Sequence, residues 1–204
     1  MKKIMAIVLS LLLVCGAALA EDAVTSATLK IEKLPAVEAA DNGILVAYFS
    51  PDDTVKAAAY TIAEALSAEL FEIEPAEPYT ADDLNYYNSK ARSMVEMGDS
   101  QARPEIAALP EDMSAYSMIV LCYPIWGGQA PKIICTFLES VDMSGKTIAP
   151  FATSNSSGFG TSDKALQALT DETVTWLPGM GVRKGATAEE IRAWAETLIP
   201  GEAE

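Results

Sequence analysis

The apolar positions of this chain fall into short runs separated by turns, and their period switches repeatedly between continuous and helical. Ile44–Phe49 is an unbroken apolar run rich in β-formers, Ser50-Pro51 interrupts it, and an alanine-rich helical pattern follows over Thr54–Glu69. A run that is apolar throughout but too short for a helix predicts a strand covered on both faces. Leu70–Ile73 predicts a short second strand ended by Pro75, and Ala81-Asp82-Asp83 predicts the cap of a helix reaching about Met97. Ser117–Tyr123 predicts a central buried strand that runs into the turn Pro124–Gly128, after which Pro131 opens a helix with Ile134, Phe137, Leu138 and Val141 on one face. Ser144-Gly145 turns into a fourth strand, Thr147–Thr153. A small-residue loop, Ser154–Gly160, a short helix, Asp163–Leu169, and a fifth strand, Thr173–Leu177, follow. Thr187 and Glu190 form a capping box for a last helix that turns Ile191, Trp194 and Leu198 inward.

Five strands alternating with helices predict an α/β fold, a three-layer sandwich around one five-stranded parallel sheet, because right-handed crossovers place helices on both faces. Ligands of such sheets collect at the carboxyl ends of the strands. Three loops of unusual composition lie there: Ser50–Val55, Pro124–Gly128 and Ser154–Gly160. The first joins a strand to the amino end of a helix, where free N–H groups and the helix dipole favour an anion, yet it carries Asp52 and Asp53.

Upstream of the domain, Met1-Lys2-Lys3 is basic, Ile4–Val14 is apolar, and Ala18-Leu19-Ala20 supplies small residues. This is the pattern of a signal peptide over residues 1–20, cut after Ala20 and too short for a membrane span. Cys15 offers a lipid anchor as the alternative, although Val14 stands where a small residue is wanted. Residues 21–42 have no period and predict a flexible segment, leaving 43–204 as the folded domain. The expectation is an exported protein, extracellular, periplasmic or at the cell surface.

Removing Lys2 and Lys3 from the 14 basic side chains leaves 12 against 29 acidic ones, a net charge near −17. That argues against nucleic acid or an anionic membrane as partner. The absence of histidine excludes Ser-His-Asp and Cys-His mechanisms and makes a zinc site unexpected. Cys122 falls in a predicted strand and Cys135 in a predicted helix; export permits a disulfide, but two separate thiols are expected. Gly145-Lys146-Thr147 mimics the end of a phosphate-binding P-loop, but a strand follows where that motif requires a helix.

Six blocks carry a further signal: LVAYFS (45–50), LFEIEPAEPYT (70–80), ARPEI (102–106), YPIWGGQAPKI (123–133), TFLE (136–139) and SGKTIAPFATS (144–154). In this order they resemble the flavodoxin-like family, in particular its branch with a Tyr-Pro-Ile-Trp signature, over roughly residues 43–185. The resemblance implies strand order 2-1-3-4-5 and flavin mononucleotide (FMN) at the top of the sheet. It also implies electron transfer or small flavin-reductase chemistry with a redox partner protein or a small electron acceptor. Carried over residue by residue, the family's phosphate loop Ser-x-Thr-Gly-Asn-Thr becomes Ser50, Pro51, Asp52, Asp53, Thr54, Val55. Pro124, Ile125, Trp126 and Gly127 fall on the ring-binding segment, with Trp126 placed against the isoalloxazine and Gly127 where a second Trp is frequent. In the third loop Thr153, Ser154, Asn155, Ser156, Ser157 and Gly158 replace Thr-Ser-Gly-Gly-Ser-Gly, whose N–H groups face the ring edge.

At the first loop, the hydroxyl donors have become a carboxylate, Asp52, which only accepts, and a hydrocarbon, Val55, which does neither, while the glycine has become a second carboxylate, Asp53. A carboxylate about 5 Å from a phosphate, at an effective dielectric of about 20, is repelled by about 3 kcal/mol. A helix terminus returns roughly 0.3–2 kcal/mol, and a micromolar site has about 8 kcal/mol in all. Two readings therefore stand: an FMN-binding redox protein, or a flavodoxin-fold binding module that has lost its flavin. Asp52 and Asp53 also suit a helix cap, Trp126 also suits a plug over the sheet end, and Tyr79, Tyr86 and Tyr87 could close over a ligand or face solvent.

Overall fold

The structure is a computed structural model that describes residues 41–155, 158–183 and 186–199. The expected signal peptide, the flexible segment as far as residue 40, and Ser156 and Ser157 lie outside the described residues. Among the described residues, no helix is long and apolar enough to cross a membrane.

The first apolar run forms β1 (Ile44–Tyr48), and α1 (Asp53–Leu66) follows the Ser50-Pro51 break. Next come β2 (Glu69–Glu72), α2 (Arg92–Gly98), β3 (Met118–Pro124), α3 (Lys132–Ser140) and β4 (Thr147–Ser154). The chain closes with α4 (Ser162–Gln167), β5 (Thr175–Trp176), β6 (Met180–Arg183) and α5 (Ala188–Glu196). The sheet is parallel, with strand order β2-β1-β3-β4-β5, and β6 also pairs with β4.

Alternation along the strands builds two cores. Ile44, Val46 and Tyr48 of β1 pack with α1 and α5 on one face, while Leu45, Ala47 and Phe49 pack with α3 and Leu166 of α4 on the other. Cys122 belongs to the first core and Cys135 borders the second, so the sheet separates the two thiols and both are free. Burial pushes both thiols upward in pKa, Cys122 most strongly. The Thr187–Glu190 capping box is present, with both reciprocal hydrogen bonds made.

Two expectations need correction. The fifth sheet position holds two segments, β5 and β6, rather than one strand over 173–177. The carbonyls of Lys146 and Ile148 accept from the N–H groups of Thr175 and Leu177. Because every second residue of a strand faces the same neighbour, the next ladder donor on that side would come from Pro150, which has none. The ladder breaks there, and Gly179 passes so close to Pro150 that an added Cβ would fall 2.4 Å from its carbonyl oxygen.

The second helix begins at Arg92, not near Ala81. Asn85 and Asn88 accept through their side chains from the N–H groups of Tyr87 and Lys90, at 3.1 and 3.0 Å. These local turns compete with helical hydrogen bonds. Thr80 and Asp83 close a preceding turn reciprocally.

Candidate functional site

The first loop is held by its own oxygens. Asp52 has extended geometry and caps α1, its Oδ1 accepting from the Thr54 N–H at 3.0 Å. Ser50 Oγ accepts from the Lys56 N–H at 3.0 Å and donates to the Asp52 carbonyl. Asp53 and Thr54 are exposed in the first turn. Val55 is wholly buried in the α1–α5 core, so its side chain contributes packing, and only its main chain remains at the loop. The cation of this turn, Lys56, places Nζ 3.0 Å from Glu72 Oε2, and the Tyr48 hydroxyl donates to that same oxygen at 2.7 Å. The Glu72 hydrogen bond raises the Lys56 pKa, and burial raises that of Tyr48.

The second loop turns sharply after buried Pro124. Ile125 N–H donates to the Thr153 carbonyl at 2.8 Å, tying this loop to the end of β4. Trp126 and Gln129 exchange both main-chain hydrogen bonds across Gly127 and Gly128, whose φ angles are +55° and +83°. Two successive positive φ values make a type I′ turn, which explains glycine at 127 where an aromatic was the family pattern. The half-buried Trp126 ring meets Phe49 and Tyr79 edge to face, with centroids 5.7 and 5.5 Å away. Tyr79 donates its hydroxyl to Glu96, and the Arg92 guanidinium lies 4.2 Å above its ring. Burial pushes the Tyr79 pKa upward.

The third loop leaves β4 through Thr153 and Ser154. Gly158 N–H donates to Ser154 Oγ at 2.9 Å, and Asn155 is exposed. The second and third loops are fastened together: Thr161 N–H donates to the Gly128 carbonyl at 2.8 Å, and the main chains of Gly128 and Gly160 touch.

The structure therefore brings Ser50, Asp52, Thr54, Trp126, Gly127, Thr153, Ser154 and Gly158 to one edge of the sheet, with Val55 turned away. Tyr79, which in the sequence fits either a cover over a ligand or a solvent-facing side chain, is the second aromatic wall of the Trp126 cluster, with Glu96 and Arg92 as partners that its sequence position does not show. Their order in the chain carries no sign of that contact. A cleft of about 290 Å³ opens beside the first loop at the ends of β1 and β2, lined among others by Phe49, Ser50, Glu72, Glu74, Pro75 and Tyr79.

A sequence model described as flavodoxin matches residues 43–198. The chain belongs to the flavodoxin family. It matches no curated protein. A candidate flavoprotein of Bacteroides uniformis is 42% identical, with a TM-score of 0.70 over 74% of this chain and 96% of that one. A second, from Bacteroides eggerthii, is 40% identical, with a TM-score of 0.69 over 76% and 96%. A flavoprotein of Lactobacillus acidophilus, solved in complex with FMN, is 21% identical and shares the fold, with a TM-score of 0.57 over 67% and 90%.

Tested against FMN, the two ends of this flavodoxin-family site differ. At the ring end, Trp126 and the fastened glycine loops offer an aromatic face and main-chain groups. At the phosphate end, Asp52 and Ser50 already accept from the Thr54 and Lys56 N–H groups, and the two hydroxyl positions of the family loop hold the carboxylate of Asp52 and the hydrocarbon of Val55, with a second carboxylate at Asp53. The ring end fits a flavin; the tail end does not fit its phosphate.

Proposed function

We propose that this domain binds a flavin across the tips of β1, β3 and β4 and exchanges electrons through it outside the cytoplasm, as a carrier or as a small flavin-dependent reductase. The observation that carries the reading is the half-buried Trp126, whose ring meets Phe49 and Tyr79 and whose loop is locked to the loop after β4 through Gly128 and Gly160. FMN is the flavin that the family implies, and the Lactobacillus relative was solved with it. A bound flavin would supply the redox chemistry, while the protein positions the ring and sets its surroundings. Trp126 would cover part of the ring and exclude water. The negative charge of the chain, including Glu72 and Glu74 beside the first loop, would disfavour an added electron and lower the potential. Export, with loading of the flavin outside the cytoplasm, is supported by the leader pattern of residues 1–20.

A second reading has its own observation. The self-capped loop, with Asp52 on the Thr54 N–H, is what a flavodoxin-fold binding module without flavin would retain. Titrating the purified chain with riboflavin and FMN separates the two. Quenching of flavin fluorescence and a shift in the visible bands by either flavin support the redox reading. A chain that leaves both spectra unchanged supports the module.

A further inference from the structure

We propose that the strand-tip site selects a flavin without a 5′-phosphate, taking riboflavin in preference to FMN. The inference rests on the flavin reading above and specifies its ligand.

A helix start holds a phosphate by donating N–H groups and hydroxyls to it. Here three donors of that turn are already engaged. The Thr54 N–H is held by Asp52 Oδ1 and the Lys56 N–H by Ser50 Oγ, each at 3.0 Å. The Ser50 hydroxyl proton points to the Asp52 carbonyl. Val55 has no hydroxyl and sends its side chain into the core. The cation of the turn, Lys56, is held on Glu72. A dianionic phosphate would have to displace the Asp52 carboxylate from its own helix cap, sit beside Asp53, and draw Lys56 away from Glu72.

A flavin ending in a neutral ribityl hydroxyl meets the opposite situation. A hydroxyl can donate, and a carboxylate only accepts, so the loop that repels a phosphate is complementary to an O–H donor. Burying the ring against Trp126 asks nothing of the tail's charge. The cleft beside Ser50, with Glu72 and Glu74 in its wall, adds negative charge on the same side of the loop.

The test is parallel titration of the full chain with riboflavin and with FMN, followed by fluorescence quenching at low and at high salt. Riboflavin is expected to bind about tenfold more tightly than FMN or better at low salt, with the gap narrowing as salt screens the repulsion. In D52T/D53G the riboflavin-to-FMN affinity ratio is expected to fall by about tenfold. Because that variant changes the cap residue and the backbone freedom of the turn together, D52N is run beside it; the amide oxygen can keep the Thr54 hydrogen bond while the charge is lost, and the ratio should again fall. FMN binding as tightly as riboflavin, or a ratio that neither variant moves, overturns the selectivity and leaves the flavin reading standing. No binding of either flavin overturns both.

Discussion

Gly128 and Gly160 stand against each other so closely that a Cβ built on Gly160 would lie 2.2 Å from the Gly128 carbonyl oxygen. One glycine ends the turn after β3 and the other lies in the loop after β4, so this contact sets the separation of the two loops beside Trp126. Gly160 also has φ +58°, which L side chains resist. Gly160→Ala is therefore expected to lower stability by about 2–4 kcal/mol and to weaken flavin binding as well. Urea unfolding and flavin titration on the same preparation check both effects.

Trp126→Ala removes two edge-to-face aromatic contacts, each worth about 0.5–1.5 kcal/mol beyond area burial. The expected result is a loss of about 2 kcal/mol in stability, with flavin quenching reduced far more than stability alone would explain. Trp126→Phe should restore most of the stability and only part of the quenching. A Trp126→Ala chain that still quenches flavin fully would show that the ring does not sit against this side chain.

Glu72→Gln is expected to leave the Tyr48 hydroxyl a partner while releasing Lys56 from its charged acceptor. The freed ammonium can then turn toward the first loop, so FMN affinity should rise several-fold while riboflavin affinity changes little. Side-by-side titration of the two flavins is the check.

Alkaline pH should destabilise the fold in a defined window. Burial, with a hydrogen bond to Glu69, pushes the Tyr116 phenol up to about 12. Burial and carboxylate partners push Tyr48 and Tyr79 further. A phenol that holds its proton more tightly folded than unfolded contributes stability in full below its unfolded pKa, near 10, and loses it as pH rises through the folded value. Melting temperatures should fall steadily from about pH 10 upward, and Tyr116→Phe should flatten the first part of that fall.

Ser67 is the one non-glycine residue with positive φ among the described residues, at +48°, and it closes the carboxyl end of α1. Ser67→Gly is expected to stabilise the chain by about 0.5–1 kcal/mol, because glycine adopts this geometry without a Cβ clash. Chemical denaturation measures it directly.

Local signals carried most of the fold. The run Ile44–Phe49, the face of Ile134, Phe137 and Leu138, and the Thr187–Glu190 box each specify an element by residues close in sequence. The departures have non-local or competing causes. Pro150 breaks the neighbouring strand rather than its own, and Asn85 and Asn88 hold turns where an acidic cap suggested a helix. At the site, the loops themselves were legible, but their fastening was not, since Gly128 and Gly160 meet only after β4 has been laid beside β3. The sequence showed two aspartates in the first loop; only the structure shows one of them already holding the N–H that a phosphate would need.

The most direct measurement is a crystal structure of the chain grown with riboflavin. The expected density is a flat tricyclic ring against Trp126 at the carboxyl ends of β1, β3 and β4, with the sugar tail reaching toward Asp52. A ring lodged instead in the cleft beside Glu72 and Glu74, or strand tips closed by the aromatic cluster with no flavin at all, would contradict it.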